Sequence, residues 1–168
     1  MVKHIDPDSL IQDMADRVDA LQLPSPLIVG IHSGGVWVAE RLHSLTGNVE
    51  ELSALDISFY RDDFSRVGLN PEVRSSSIPV SVEDRNIILV DDVLHTGRTI
   101  RAGLNEIFSY GRPAKVVLCV MIERSGRELP IQADIVGMHL DLGDNENVKL
   151  TNPDGKLEAG IFRTEPDQ

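Results

Sequence analysis

The stretch IILVDDVLHTGRTI, residues 87–100, sets four apolar residues directly before two adjacent carboxylates, then a short turn bearing Gly and Thr that opens into a helical pattern. The apolar run, with Asn86 before it, reads as a buried strand over 86–90. Asp91 and Asp92 then stand where that strand ends. Successive strand residues point to opposite faces, so the two acids are expected to do different jobs. The following LHTGRT, residues 94–99, supplies Gly97 for a close backbone approach, hydroxyls from Thr96 and Thr99, and free N–H groups at a helix start. That combination cradles a phosphate. Carboxylates beside a phosphate repel it unless they address sugar hydroxyls or a divalent cation nearby. Solvated acids followed by an ordinary cap at Thr96 or Thr99 would account for each piece singly, but all of them in register point to a phosphoribosyl group.

The same alternation continues on either side. Leu10, Ile11, Met14, Val18 and Leu21 fall near helical spacing, with Asp8 or Ser9 as the expected cap and Pro24 and Pro26 as terminators. LIVGI, residues 27–31, reads as a short buried strand, GVWVAERLHSL, residues 35–45, as a helix, and LSALDISFY, residues 52–60, as a strand. Residues 61–77 lack periodicity and are read as a long loop. A helix over roughly 98–110 stops at Gly111 and Pro113, and the strands KVVLCVMI, 115–122, and DIVGMHL, 134–140, follow. Asn152-Pro153-Asp154-Gly155, between alternating segments, marks a closing hairpin. No internal repeat interrupts this order. Strands alternating with helices imply an α/β fold, a mostly parallel sheet with helices on both faces, and ligands at the carboxyl ends of the strands.

Length and charge narrow the function. A chain of 168 residues with 41% hydrophobic content suits one domain, expected to span 1–168. A net charge of −11 argues against a large, uniformly basic nucleic-acid surface. Cys119, inside an apolar run, is expected to be a buried side chain. The N-terminus lacks a signal-peptide core, and no run approaches the ~18 apolar residues of a membrane span, so a soluble, cytoplasmic protein without membrane partners is expected. The five histidines, at 4, 32, 43, 95 and 139, lack metal-ligand spacing. Trp37 is expected to pack in the core or an interface.

Residues 87–100 resemble the diphosphate-sugar signature of the type I phosphoribosyltransferases, which bind 5-phosphoribosyl 1-diphosphate (PRPP). LDISFYRDD (55–63), DDVLHTGRTIRAGL (91–104), GRPAKVVL (111–118) and RELPIQADIVG (127–137) are similar to the uracil phosphoribosyltransferases that double as pyrimidine operon attenuation regulators. RELPI and YRDD carry that narrower match; the acid pair alone would also allow a purine enzyme. The resemblance implies the family's fold, with a small hood and a C-terminal hairpin, as well as PRPP and uracil as substrates, Mg²⁺ as cofactor and a homodimer.

Carried over residue by residue, it implies that Asp91 and Asp92 engage the ribose hydroxyls, one also serving the base proton. Both are candidate metal positions, directly or through PRPP. His95, Thr96, Gly97, Arg98 and Thr99 would hold the 5′-phosphate. HSGG, His32 to Gly35, corresponds to the diphosphate loop, so Ser33 and Gly35 belong to the PRPP site as well. His32 and Gly34 stand where members often carry Lys and Arg, leaving backbone N–H groups freed by Gly34 and Gly35 as donors. An unusual backbone is expected there, with a non-proline cis bond at His32–Ser33 or Ser33–Gly34. Arg61, at the start of the long loop, is the expected cation closing over the diphosphate. Ile122, Glu123 and Arg124 correspond to the base-recognition strip. A leader RNA is the expected partner of the regulatory activity. Residues 98–127 offer it six cations (Arg98, Arg101, Arg112, Lys115, Arg124, Arg127) against two acids, Glu106 and Glu123. The N-terminal helix is acidic, which disfavours RNA.

Overall fold

The computed structural model describes residues 2–57 and 76–165. The tail of the expected strand over 52–60 and nearly all of the loop 61–77, with Arg61, Asp62, Asp63, Arg66 and Arg74, lie outside them.

Five parallel strands form the centre: β2 (Leu27–Ile31), β3 (Ser53–Leu55), β4 (Asn86–Leu94), β5 (Lys115–Arg124) and β6 (Ile135–Leu140). Their order is β3-β2-β4-β5-β6, so β4 and β5, the two longest, are interior. Period-2 alternation divides their side chains between two cores. Ile28, Ile88, Val90, Cys119 and Met121 face helices α1 (Pro7–Ala20) and α2 (Gly34–Leu45), whereas Leu27, Val29, Ile87, Leu89 and Leu118 face α3 (Arg98–Tyr110). Helices therefore cover both faces, as the alternation of patterns requires.

A second sheet, antiparallel and ordered β1-β8-β7, joins β1 (Lys3–Ile5) to the closing hairpin of β7 (Glu146–Thr151) and β8 (Glu158–Arg163). A single 3₁₀ turn at Pro153–Gly155 links the two hairpin strands. Its inner side chains Ile5, Val148, Leu150, Leu157, Ala159 and Ile161 share the core of α1 and α2. The hood is thus fastened by apolar burial, and Arg41 of α2 adds a polar tie by donating to the Gly155 carbonyl at 2.7 Å.

Several boundaries differ from the sequence reading, each for a local reason. The α1 cap is Asp6, not Asp8 or Ser9: its side chain accepts from the Ser9 N–H at 3.2 Å, and Pro7 takes the first helical position, where its missing N–H costs nothing. β4 does not stop at Val90 but continues through both acids to Leu94, paired with β5 as far as Glu123. β5 runs on to Arg124 beside β6. Apolar character ends before the ladder does, because the last strand residues face a cleft. Ser77, read as loop, pairs with Ala54 at the β3 edge. β1 has only three residues, too few for periodicity to register. Cys119 is fully buried, and burial pushes its thiol up to about 12. Trp37 packs, partly buried, against the α1 and α2 core.

Ile88 is 0% exposed on an interior strand. Ile88→Ala should therefore cost about 2–5 kcal/mol, read as a lowered midpoint in urea denaturation.

Candidate active site

At the carboxyl end of the parallel sheet a cleft of about 440 Å³ is lined by Asp91 to Ile100, Arg124, Asn147 and Val148. Its floor is the end of β4. Asp91 is only 3% exposed, and its Oδ1 accepts from the Asp92 N–H at 2.9 Å. Asp92 is half-buried, with Oδ1 accepting from the Val93 N–H at 2.9 Å. The two carboxylates thus sit in different environments, as alternation predicts.

The HSGG loop rests directly on this floor. A Cβ built at Gly34 would run into the Asp92 carboxylate, and one at Gly35 would come within 2.6 Å of the Val90 carbonyl and 3.1 Å of Asp91 Oδ1. Both glycines are there for space: only without side chains can the start of α2 lie against the end of β4. The His32 N–H donates to the Leu55 carbonyl at 2.9 Å, tying the loop to β3. The His32–Ser33 peptide is cis, at one of the two bonds expected.

The opposite wall is the turn into α3. Gly97 takes φ 97°, a left-handed conformation natural to glycine, and starts the helix without a side-chain cap. Thr96 Oγ1 accepts from the Arg98 N–H at 3.2 Å. The Thr96 carbonyl accepts from the N–H groups of Glu128 and Leu129 at 3.0 and 3.1 Å, and Arg98 Nε meets Glu128 at 3.0 Å. The RELP segment is thereby the buttress of the turn. His95 is exposed, with its ring close to Gly126. Burial lowers its pKa, the Arg124 guanidinium lowers it further, and Glu128 partly opposes both.

The structure therefore brings together His32, Ser33, Gly34, Gly35, Asp91, Asp92 and the turn His95–Thr99, while Arg61 lies outside the described residues. The base strip divides. Ile122 is fully buried, and it and Glu123 are laddered to β4 on one side and β6 on the other. The Glu123 carboxylate turns to His139 Nδ1 at 2.8 Å, in a second cavity of about 510 Å³ that shares Leu94, His95 and Arg124 with the cleft. Arg124 alone of the three lines the cleft, donating through Nη1 to Asn147 Oδ1 at 3.3 Å. Asn147 and Val148 were missed by sequence reasoning. The hairpin they belong to is legible, but nothing local says that it folds back over the sheet edge.

No group of three or more His, Cys, Asp or Glu among the described residues is arranged to hold a metal ion. Nor is any described helix long and apolar enough to cross a membrane.

Residues 10–153 match the family model described as a phosphoribosyl transferase domain. The chain belongs to that family. A protein from Nitrosococcus oceani named Bifunctional protein PyrR is 57% identical over 167 residues, covering 96% of this chain and 94% of the relative. One of the same name from Pseudomonas aeruginosa is 56% identical over 144 residues, covering 86% and 85%. This phosphoribosyltransferase thus sits within the PyrR branch. Among solved structures, a hypoxanthine-guanine phosphoribosyltransferase from Bacillus anthracis superposes with a TM-score of 0.64 at 16% identity, covering 83% of this chain and 86% of that one. A purine phosphoribosyltransferase from Pyrococcus horikoshii gives 0.62 at 22%, covering 79% and 82%. At those identities the likeness establishes the fold.

The Gly34 contact makes a direct prediction. Gly34→Ala should reduce phosphoribosyltransferase turnover by about tenfold or more, because its Cβ must displace Asp92, with thermal denaturation showing the core still folded.

Proposed function

We propose that this chain transfers the phosphoribosyl group of PRPP to uracil, forming UMP and releasing diphosphate. The observation that carries the reading is the single cleft in which the buried Asp91, the neighbouring Asp92 and the Thr96–Gly97 turn stand together. The narrower assignment to uracil is supported by the PyrR relatives and by the RELPI and YRDD segments.

In this reading the turn His95–Thr99 holds the 5′-phosphate through backbone N–H groups and hydroxyls, with Arg98 steadied by Glu128. The HSGG loop lies under the diphosphate. Asp91 and Asp92 hold the ribose hydroxyls, and one of them takes the proton leaving the base nitrogen. As the bond between C1′ and the diphosphate lengthens, positive charge develops on the ribose, and carboxylates already fixed beside it stabilise that charge without reorganising. Arg61 is the cation proposed to close over the leaving group.

The donor set is compatible with Mg²⁺. This ion binds through one or two carboxylates plus substrate phosphates, and Asp91 and Asp92 offer the oxygen ligands while PRPP supplies the rest. When bound, it would offset the charge of the departing diphosphate. Asp92→Asn should lower turnover by about 10²-fold or more with the fold intact, measured as UMP formation from PRPP with uracil, hypoxanthine and guanine in parallel. Unchanged turnover would remove Asp92 from the mechanism, and a preference for either purine would overturn the uracil assignment. Chelation should abolish activity and added Mg²⁺ restore it; full activity in chelator would sink the metal's role.

Regulation through a leader RNA is the second activity that the family resemblance supports. The structure divides the six cations of 98–127 into a small group of four around the turn and the cleft, Arg98, Arg101, Arg124 and Arg127, and two that lie elsewhere. Arg98 is paired with Glu128 and Arg124 faces the cleft, whereas Arg112 and Lys115 lie beyond the far end of α3. Binding of a pyrimidine-operon leader should consequently be weak at physiological salt, with a shallow dependence on ionic strength. Titration at two salt concentrations, with and without UMP, checks this; tight UMP-dependent binding that survives physiological salt would refute it.

A further inference from the structure

The cleft has a third region that neither the phosphate turn nor the acid pair occupies. Once His95–Thr99 and Asp91–Asp92 are set aside, its remaining lining is chiefly Val93, Arg124, Asn147 and Val148, contributed by β4, β5 and the hood. Asn147 is held in one orientation. Its Oδ1 accepts from the Val148 N–H at 2.9 Å and from Arg124 Nη1 at 3.3 Å, which uses both lone pairs and identifies which end of the amide is oxygen. Its Nδ2 has no hydrogen bond to the described residues. Arg124 Nε is buried and lacks a partner. An amide donor fixed by its own oxygen and left without a partner among the described residues, on the wall of a cleft, suits an acceptor that arrives with a ligand.

We infer that Asn147, together with Arg124, reads the 4-oxo edge of the base and distinguishes uracil from 4-aminopyrimidines. The inference rests on the proposed pyrimidine reading and adds the determinant within it. The wall presents the two N–H donors of Asn147 Nδ2, backed by the Arg124 guanidinium, while Asn147 Oδ1 is already occupied. A carbonyl at C4 accepts from these donors. An amino group at C4 would set donor against donor and leave the Asn147 N–H groups unpaired, and a site of that kind rejects the wrong analogue strongly. Asn147 comes from the hood, so selectivity for the base depends on an element separate from the sheet that binds the sugar and phosphates.

The test is calorimetric binding of UMP, CMP and ribose 5-phosphate to the full chain and to Asn147→Asp. Aspartate keeps an acceptor for the Val148 N–H and Arg124 but replaces the Nδ2 donor with a second acceptor. Affinity for UMP should fall about tenfold or more, CMP should lose much less or gain, and ribose 5-phosphate should be unchanged. A wild-type UMP-to-CMP ratio in the variant would overturn the inference. So would an equal loss for ribose 5-phosphate, which marks Asn147 as merely structural. If the wild-type chain binds ribose 5-phosphate yet prefers IMP or GMP to UMP, the uracil reading itself fails, and this assignment with it.

Discussion

The contact between the first turn of α2 and the end of β4 is the constraint on which the site depends. Gly34 and Gly35 bring the HSGG loop down onto Val90, Asp91 and Asp92 with no room for a side chain between them. That closeness packs the acids and the loop together, which holds the groups proposed for the sugar and for the diphosphate beside one another. It also accounts for the departure at position 34. An arginine there would put a Cβ where the Asp92 carboxylate now stands, so the extra cation would require that side chain to move.

A second constraint fixes the far wall. The hood belongs to the same hydrophobic core as α1, α2 and one face of the sheet, through Ile5, Val148, Leu150 and Ile161. Val148 is 6% exposed, so the residue beside Asn147 is anchored in that core while Asn147 itself reaches the cleft. Alternation along β7 explains the division: one residue packs inward and its neighbour turns toward the sheet edge. Arg41, bonded to the hood turn and to Asp8, adds a modest polar link at the opposite end of the hairpin.

What could be read in the sequence follows from the range of the signals. The parallel sheet, its helices and the closing hairpin were visible because each apolar period is local. The acid pair and the glycine turn were visible because their chemistry lies within fourteen consecutive residues. The strand ends were misplaced by several residues where function overrides patterning: Asp91 and Asp92 remain in the ladder although they are polar, and Glu123 and Arg124 likewise. Asp6 was passed over as a cap because Pro7 follows it, although proline is well suited to the first helical position. The turning of Glu123 away from the cleft that Arg124 lines, and the arrival of Asn147, depend on how two sheets dock. That is tertiary information, with no period to announce it.

The charge of the chain finally makes sense of how the phosphate end is built. A protein with a net charge of −11 would repel a polyanion at long range if it relied on its overall field. The Arg98 guanidinium, the obvious cation at the turn, is paired with Glu128, and burial together with Arg124 favours the neutral form of His95. In the proposed phosphate role of the turn, oriented dipoles contribute beside the neighbouring arginines: the N–H groups opened by Gly97 at the head of α3 and the hydroxyls of Thr96 and Thr99. Dipoles act within a few ångströms and fade before the Debye length is reached, so they select a phosphate already seated without drawing polyanions to the surface. A site so made would suit a small sugar phosphate, in keeping with the proposed PRPP substrate.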